Sequence, residues 1–371
     1  MSKKISSYLV ALSCLTAGCA TASVPADMTL KRAYQHDFLI GVSINRAQFT
    51  GQDQRGISII TNQFDAISPE NILKWESVHP LPGQYDFTGP DQYVNFGETN
   101  HLAIIGHTLV WHNQTPKWVF QDDQGHQVTR EVLLQRLHDH IFTVVGRYKG
   151  RIKGWDVVNE AINEDGTMRN SLWRKIIGDD YIEKAFQFAH EADPQAELHY
   201  NDYSLENLPK RNGVITLVKK LKAEGIPITA VGLQGHVKMD WPTPQQEDET
   251  ISAFAQLGVK VMITELDVDV VPATQHNHTA DITANAEKTT GANNFTNGLP
   301  DSVQQALADR YASLFKVFLN HRDVIERVTF WDVTDGDSWL NSLGRVNYPL
   351  LFDRSGQPKL AFYSVIKAAQ E

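Results

Sequence analysis

At 371 residues the chain is long enough to bury a full-size core, and one large α/β barrel would absorb it. Charged residues make up 21% and hydrophobic residues 42%, an ordinary globular balance, and the formal net charge of −10 argues against nucleic acid as a partner. The two cysteines, Cys14 and Cys19, both precede residue 20, so no disulfide staples the folded domain and no cysteine cluster holds a metal there.

The amino terminus reads as a targeting segment. Lys3 and Lys4 form a positive start, and residues 8–15 (YLVALSCL) form an apolar run too short to span a bilayer. Leu15-Thr16-Ala17-Gly18-Cys19 resembles a bacterial lipoprotein signal. That resemblance implies removal of residues 1–18, a lipid on Cys19, a tether over 19–34 and anchorage to a membrane, the outer one where the source has one. The alternative is ordinary signal cleavage after Ala20-Thr21-Ala22 and a secreted product.

Beyond the tether, over residues 35–371, short apolar runs alternate with amphipathic helical stretches. The runs cover 38–44, 64–68, 102–111, 152–159, 197–202, 228–235, 260–268 and 324–333. Helical periodicity lies between them, for example over 132–149 and 213–225. Strands alternating with helices imply a closed parallel barrel or a doubly wound sheet, and eight such units favour a single-domain (β/α)8 barrel. Residues 271–300 break the rhythm: polar and rich in Thr and Asn, they are expected to form a long loop that shapes substrate access.

Polar residues collect at the C-terminal ends of these runs, where barrel enzymes build their sites. The second run is followed by Glu70, Asn71 and Lys74, and the third ends in Trp111 with His112 and Gln114 just beyond and His107 inside it. The fourth ends in Asn159-Glu160, and the fifth in Tyr200-Asn201-Asp202-Tyr203. Gln234 and His236 close the sixth, Glu265 and Asp267 the seventh, and Trp331, with Trp339 beyond, the eighth. Carboxylates and amides hydrogen-bond hydroxyls, and indole faces stack on pyranose rings, so this inventory suits a sugar. No glycine-rich phosphate loop follows the first strand, so no nucleotide cofactor is indicated.

Glu160 and Glu265 stand out because glycoside hydrolysis needs one protonated and one ionised carboxyl across the scissile bond. Strand periodicity puts Glu265 and Asp267 on one face, where His236 from the neighbouring strand can bridge them and keep Glu265 ionised. A glutamate or histidine taken alone is more often surface charge or a satisfied structural group. Each of these two glutamates, however, ends a buried run, where an idle carboxylate is costly. His112, His138 and His140 carry no such signal, and Trp118, Trp173 and Trp241 are expected to pack.

The ordered blocks Ser68-Pro69-Glu70-Asn71 with Lys74-Trp75-Glu76, Gly106-His107-Thr108-Leu109-Val110-Trp111-His112, Trp155-Asp156-Val157-Val158-Asn159-Glu160, Gly232-Leu233-Gln234-Gly235-His236, Ile263-Thr264-Glu265-Leu266-Asp267 and Phe330-Trp331 through Ser338-Trp339 resemble glycoside hydrolase family 10, the retaining endo-1,4-β-xylanases. The resemblance spans about residues 30–369. It implies a xylan or xylo-oligosaccharide substrate, no cofactor, no metal and no protein partner. By the same resemblance Glu160 is the acid/base, Glu265 the nucleophile, and Asn159 the donor to the 2-hydroxyl of the −1 sugar, with His236 and Asp267 in support. His107 and Gln234 are implied at the −1 subsite, and Glu70, Asn71, Lys74, Trp111 and Gln114 at the −1 and −2 subsites. Tyr203 is implied at the +1 sugar, and Trp331 and Trp339 as wall and roof of the glycone side. Asp332, where the family usually has Gly, and Leu340, where it often has a basic residue, depart from the pattern. A related β-1,4-glucanase and a non-catalytic glycan-binding barrel are the alternatives; the second is expected to lose one of the two carboxylates, and both are present.

Overall fold

The computed structural model describes residues 27–271 and 295–371, together with the backbone alone of 342–344. The amino-terminal signal, Cys19 and most of the 271–300 segment lie outside the described residues. Among the described residues nine strands form: β1 (Leu39–Ile44), β2 (Ala66–Pro69), β3 (Ala103–Val110), β4 (Gly154–Asn159), β5 (Glu197–Asp202), β6 (Ala230–Leu233), β7 (His236–Lys238), β8 (Lys260–Asp269) and β9 (Ile325–Phe330). All pair in parallel, β1 joins β9, and β6 joins β8, so eight of them close a barrel with helices between. The closure decides between the two architectures the sequence allowed. Strands buried on both faces read as continuous apolar runs, and β1 and β4 are buried along nearly their whole length.

The helices lay one apolar stripe on the barrel. In the helix Arg130–Arg147, Leu133, Leu137, Ile141, Val144 and Val145 are buried at spacings of three and four, and the side chain of Thr129 caps its first turn by accepting from the Val132 amide.

The sixth run departs from a single strand. It breaks at Gly235, whose φ of +77° turns the chain out of β6, and it resumes as the short β7 against the far half of β8. The β7–β8 register sets His236 opposite Asp267, and the β4–β5 register sets Asn159 opposite Asn201. Those two alignments assemble the site.

Candidate active site

Glu160 directly follows β4 and has φ of +58°, a left-handed conformation that is costly for a residue with a β-carbon. Its amide donates to Asn201 O (2.9 Å), and its carbonyl accepts from Arg169 Nε (2.9 Å), which holds the turn. The carboxylate is ringed by neutral donors. Trp111 Nε1 donates to Oε2 (2.8 Å), while Gln234 Nε2 (3.0 Å) and Asn159 Nδ2 (3.2 Å) donate to Oε1.

Glu265 lies inside β8, 5% exposed. His236 Nε2 is 3.1 Å from its Oε2, and Asn201 Nδ2 donates to its Oε1 (2.7 Å). Burial alone would push this carboxyl up. The His236 bond, the His107 and His236 charges and the Asn201 bond together hold it below the usual glutamate range. The other nitrogen of His236, Nδ1, meets Asp267 Oδ2 at 3.0 Å. Burial would lower the imidazole, but Asp267 and Glu265 push it up to about 10, so His236 stands as an imidazolium between two carboxylates. Asp267 Oδ2 also accepts from Trp339 Nε1 (2.7 Å).

Carboxamides join the two glutamates. Thr264 Oγ1 donates to Asn201 Oδ1 (2.6 Å), which fixes the Asn201 amide so that its nitrogen faces Glu265 and Asn159 Oδ1 (3.0 Å). Asn159 Oδ1 accepts again from Gln234 Nε2 (3.3 Å), leaving the Asn159 nitrogen for Glu160. Gly232 makes this close approach possible, because a β-carbon there would lie 2.4 Å from Asn201 Oδ1.

The remaining residues named from the sequence join the same cluster. Lys74 is buried, bonds Asn71 Oδ1 (3.0 Å) and lies 5.0 Å from the centre of the Trp111 ring. Asn71 Nδ2 donates to Glu70 Oε1 (2.9 Å), and Gln114 Nε2 to Asn71 Oδ1 (3.3 Å). Burial lowers the Lys74 ammonium, and Glu265, Glu70, Glu160 and Asp332 raise it in opposition. His107 Nδ1 meets Asp156 Oδ2 (2.9 Å), and the ring stands edge-on to Trp331 at 5.6 Å. Trp339 packs 5.0 Å from the His236 ring. Tyr203 is buried, with its hydroxyl accepting from Arg169 Nη2 (2.9 Å) and its face under Lys210 Nζ (3.2 Å). Asn45, Arg46, Glu70, Asn71 and Asp86 line an adjoining groove of about 680 Å³, large enough for further sugar units. Among the described residues, no three His, Cys, Asp or Glu side chains come together in a way that could hold a metal ion.

Asn201, Asp156 and Arg169 are the contributors that sequence reasoning leaves without a role. Asn201 stands among the polar residues closing the fifth run, and only its register against Asn159 and Glu265 reveals its part. Trp173, expected to pack, is buried, and its Nε1 donates to Trp111 O (2.9 Å), bracing the strand end that carries Trp111.

A parallel eight-stranded barrel with two carboxylates at the mouth, one clamped by an imidazolium, defines a glycosidase-type site. The profile of the family described as "Glycosyl hydrolase family 10" matches residues 29–368, and the chain belongs to that family. It is 43% identical to "Endo-1,4-beta-xylanase A" of Xylanibacter ruminicola over 98% of this chain and 99% of that one. It is 40% identical to "Endo-1,4-beta-xylanase" of Geobacillus stearothermophilus over 93% of this chain and 99% of that one. Among solved structures, a "novel GH10 endoxylanase retrieved from sugarcane soil metagenome" superposes with a TM-score of 0.87 at 42% identity, over 91% of this chain and 99% of the other.

Proposed function

We propose that the chain is an endo-1,4-β-xylanase acting on xylan or xylo-oligosaccharides by double displacement with retention. The observation that carries the reading is the unequal hydrogen bonding of the two carboxylates: Glu265 is bonded to the His236 imidazolium, and the Glu160 carboxylate takes its bonds from the uncharged Trp111, Gln234 and Asn159. The substrate class rests on family membership and on relatives named xylanases. Glu265 attacks the anomeric carbon as the glycosidic C–O bond breaks, and Glu160 gives its proton to the departing oxygen. Glu160 then takes a proton from water, whose oxygen attacks the anomeric carbon and frees Glu265. Asn159 and Gln234 hold sugar hydroxyls beside the reacting carbon, with His107 and Trp331 near them. Glu70, Asn71, Lys74, Trp111 and Gln114 extend the glycone side, Tyr203 lies toward the +1 sugar, and Trp339 roofs the cleft. Residues 1–18 act as an export signal and Cys19 carries the lipid anchor; the sequence around that cysteine supports this part of the reading.

Two variants test the roles. Glu265→Ala is inactive on every substrate, since no glycosyl-enzyme forms. Glu160→Ala is slow on xylan but keeps its first step on aryl xylosides whose leaving group needs no proton, and azide restores turnover with a β-glycosyl azide product. Early α-configured products seen by NMR, or azide rescue of Glu265→Ala in place of Glu160→Ala, would reject the assignment.

A further inference from the structure

The second residue after β9 breaks two local rules at once. Asp332 has φ of +86°, in the left-handed region where glycine is the least costly residue. It is also only 3% exposed, and a buried carboxyl is costly without a partner. Its polar contacts are modest. Ser43 Oγ lies 3.3 Å from Oδ1, the Trp339 amide donates to Oδ2 (3.3 Å), and the Asp332 amide donates to Ser43 Oγ (2.9 Å). The charged groups around it are Glu70 and Lys74 from the segment after β2, Asp267 from β8 and Asp337 from its own loop. Burial, then the Glu70, Asp337 and Asp267 charges, push its carboxyl well above the usual range against the Trp339 amide. Neither the backbone conformation nor the burial favours stability, so the reason for an acid here lies in what it holds.

What it holds is Trp339. Ser43 belongs to β1, so the carboxyl ties the start of the roof segment to the barrel wall. From there the contacts run on without a gap: Trp339 Nε1 to Asp267 Oδ2 (2.7 Å), Asp267 Oδ2 to His236 Nδ1 (3.0 Å), and His236 Nε2 to Glu265 Oε2 (3.1 Å). We propose that Asp332 is a positioning residue that seats Trp339 on β1 through Ser43, and thereby sets the indole that orients Asp267 and His236 behind the nucleophile. This rests on the hydrolase reading above.

The left-handed backbone supplies a clean variant. Asp332→Gly removes the carboxyl contacts while relieving the conformation, so it should melt no lower than the wild type. Its KM for an aryl xylobioside should nevertheless rise, and its kcat/KM fall, by roughly fivefold, the factor that goes with one lost hydrogen bond. Asp332→Asn, which tolerates the same conformation and can accept from the Trp339 amide while donating to Ser43, should return both constants to near wild type. In a Trp339→Phe background Asp332→Gly should have no further effect. Unchanged constants in Asp332→Gly, an equal loss in the Trp339→Phe background, or a loss that follows the melting temperature would overturn the proposal. If the wild type does not cleave aryl xylobioside, the hydrolase reading fails instead. The seat is then judged by acrylamide quenching of tryptophan fluorescence, which increases in Asp332→Gly over Asp332→Asn if Trp339 is released and is equal in the two if it is not.

Discussion

Two histidines away from the chemistry make the acid side of the stability curve predictable. His79 and His140 are buried, their Nδ1 atoms are 3.3 Å apart, and they sit within a stack of rings. His140 lies on Trp75 at 3.6 Å and His79 on Tyr85 at 3.8 Å. Burial lowers His79 to about 4, and burial with the His79 charge takes His140 well below the usual range. Both rings are therefore neutral when folded and take up protons on unfolding. Their contribution is complete above about pH 6.5, the unfolded-state value, and is lost as pH falls below it. The loss approaches about 1.4 kcal/mol per pH unit for each ring, so the pair costs roughly 5 kcal/mol between pH 6.5 and 4.5. A chain of this size unfolds with an entropy near ~0.8 kcal/mol per kelvin, which turns the pair's slope into about 3–4 °C of melting temperature per pH unit.

The test variant is His140→Phe, which keeps an aromatic ring on Trp75 and removes one titration. At pH 7.5 it should lose about 1 kcal/mol with the histidine–histidine bond. Between pH 6.5 and 4.5 its stability should fall less than the wild type's by about 2–3 kcal/mol. Buried carboxyls held high, such as Asp65 and Asp335 at about 6, act in the opposite direction over the same window. They are common to both proteins and cancel in the difference. Urea unfolding followed by tryptophan fluorescence across pH 4.5–7.5 gives the two slopes. Equal slopes would refute the reasoning, because they would mean that His140 is already protonated in the fold or that the pair opens before the global transition.

Asn201→Ala removes the donor on Glu265 Oε1 and the link to Asn159. We expect kcat/KM on aryl xylobioside to fall roughly 10²-fold, the scale for losing one preorganised donor, and steady-state kinetics showing less than a threefold change would remove Asn201 from the machinery. Cys19→Ser should move the protein from the membrane to the soluble fraction of cells. A wild type that is already soluble, with a mature sequence beginning at Ser23, would contradict the anchor.

The barrel was legible because parallel strands buried on both faces must be apolar throughout, and each such run ends where polar residues begin. The same logic placed Glu160, Glu265 and the His236–Asp267 partnership by strand and by alternation. Alternation alone does not supply register, and Asn201 depends on it: one residue of slip against β4 would turn it away from Asn159. Backbone hand is equally hidden. Nothing in a run of letters says that Glu160 adopts positive φ, the usual Gly of the family is the one hint at Asp332, and the break at Gly235 looks from the sequence like one strand continuing. The His79–His140 contact joins residues 61 apart in the chain, and it forms only because two helical segments meet around Trp75.

On the proposed assignment of Glu265 as nucleophile, its surroundings should resist a change in its charge. Protonating Glu265 would leave the His236 imidazolium facing a neutral acid with only Asp267 to balance it, in a site where both carboxyls are buried and His236 is half-buried. That arrangement favours a carboxylate that stays ionised until it bonds to carbon. The hydrogen-bond donors to the Glu160 carboxylate carry no charge, being an indole, a glutamine and an asparagine, while Lys74 and Arg169 act on it without bonding its oxygens. A nucleophile needs surroundings that hold its charge, and the His236 imidazolium supplies them. The contact chain from Asp332 through Trp339, Asp267 and His236 reaches Glu265 directly and Glu160 only through Asn201 and Asn159, so on the proposed mechanism the indole and the imidazolium bear first on the group that has to attack.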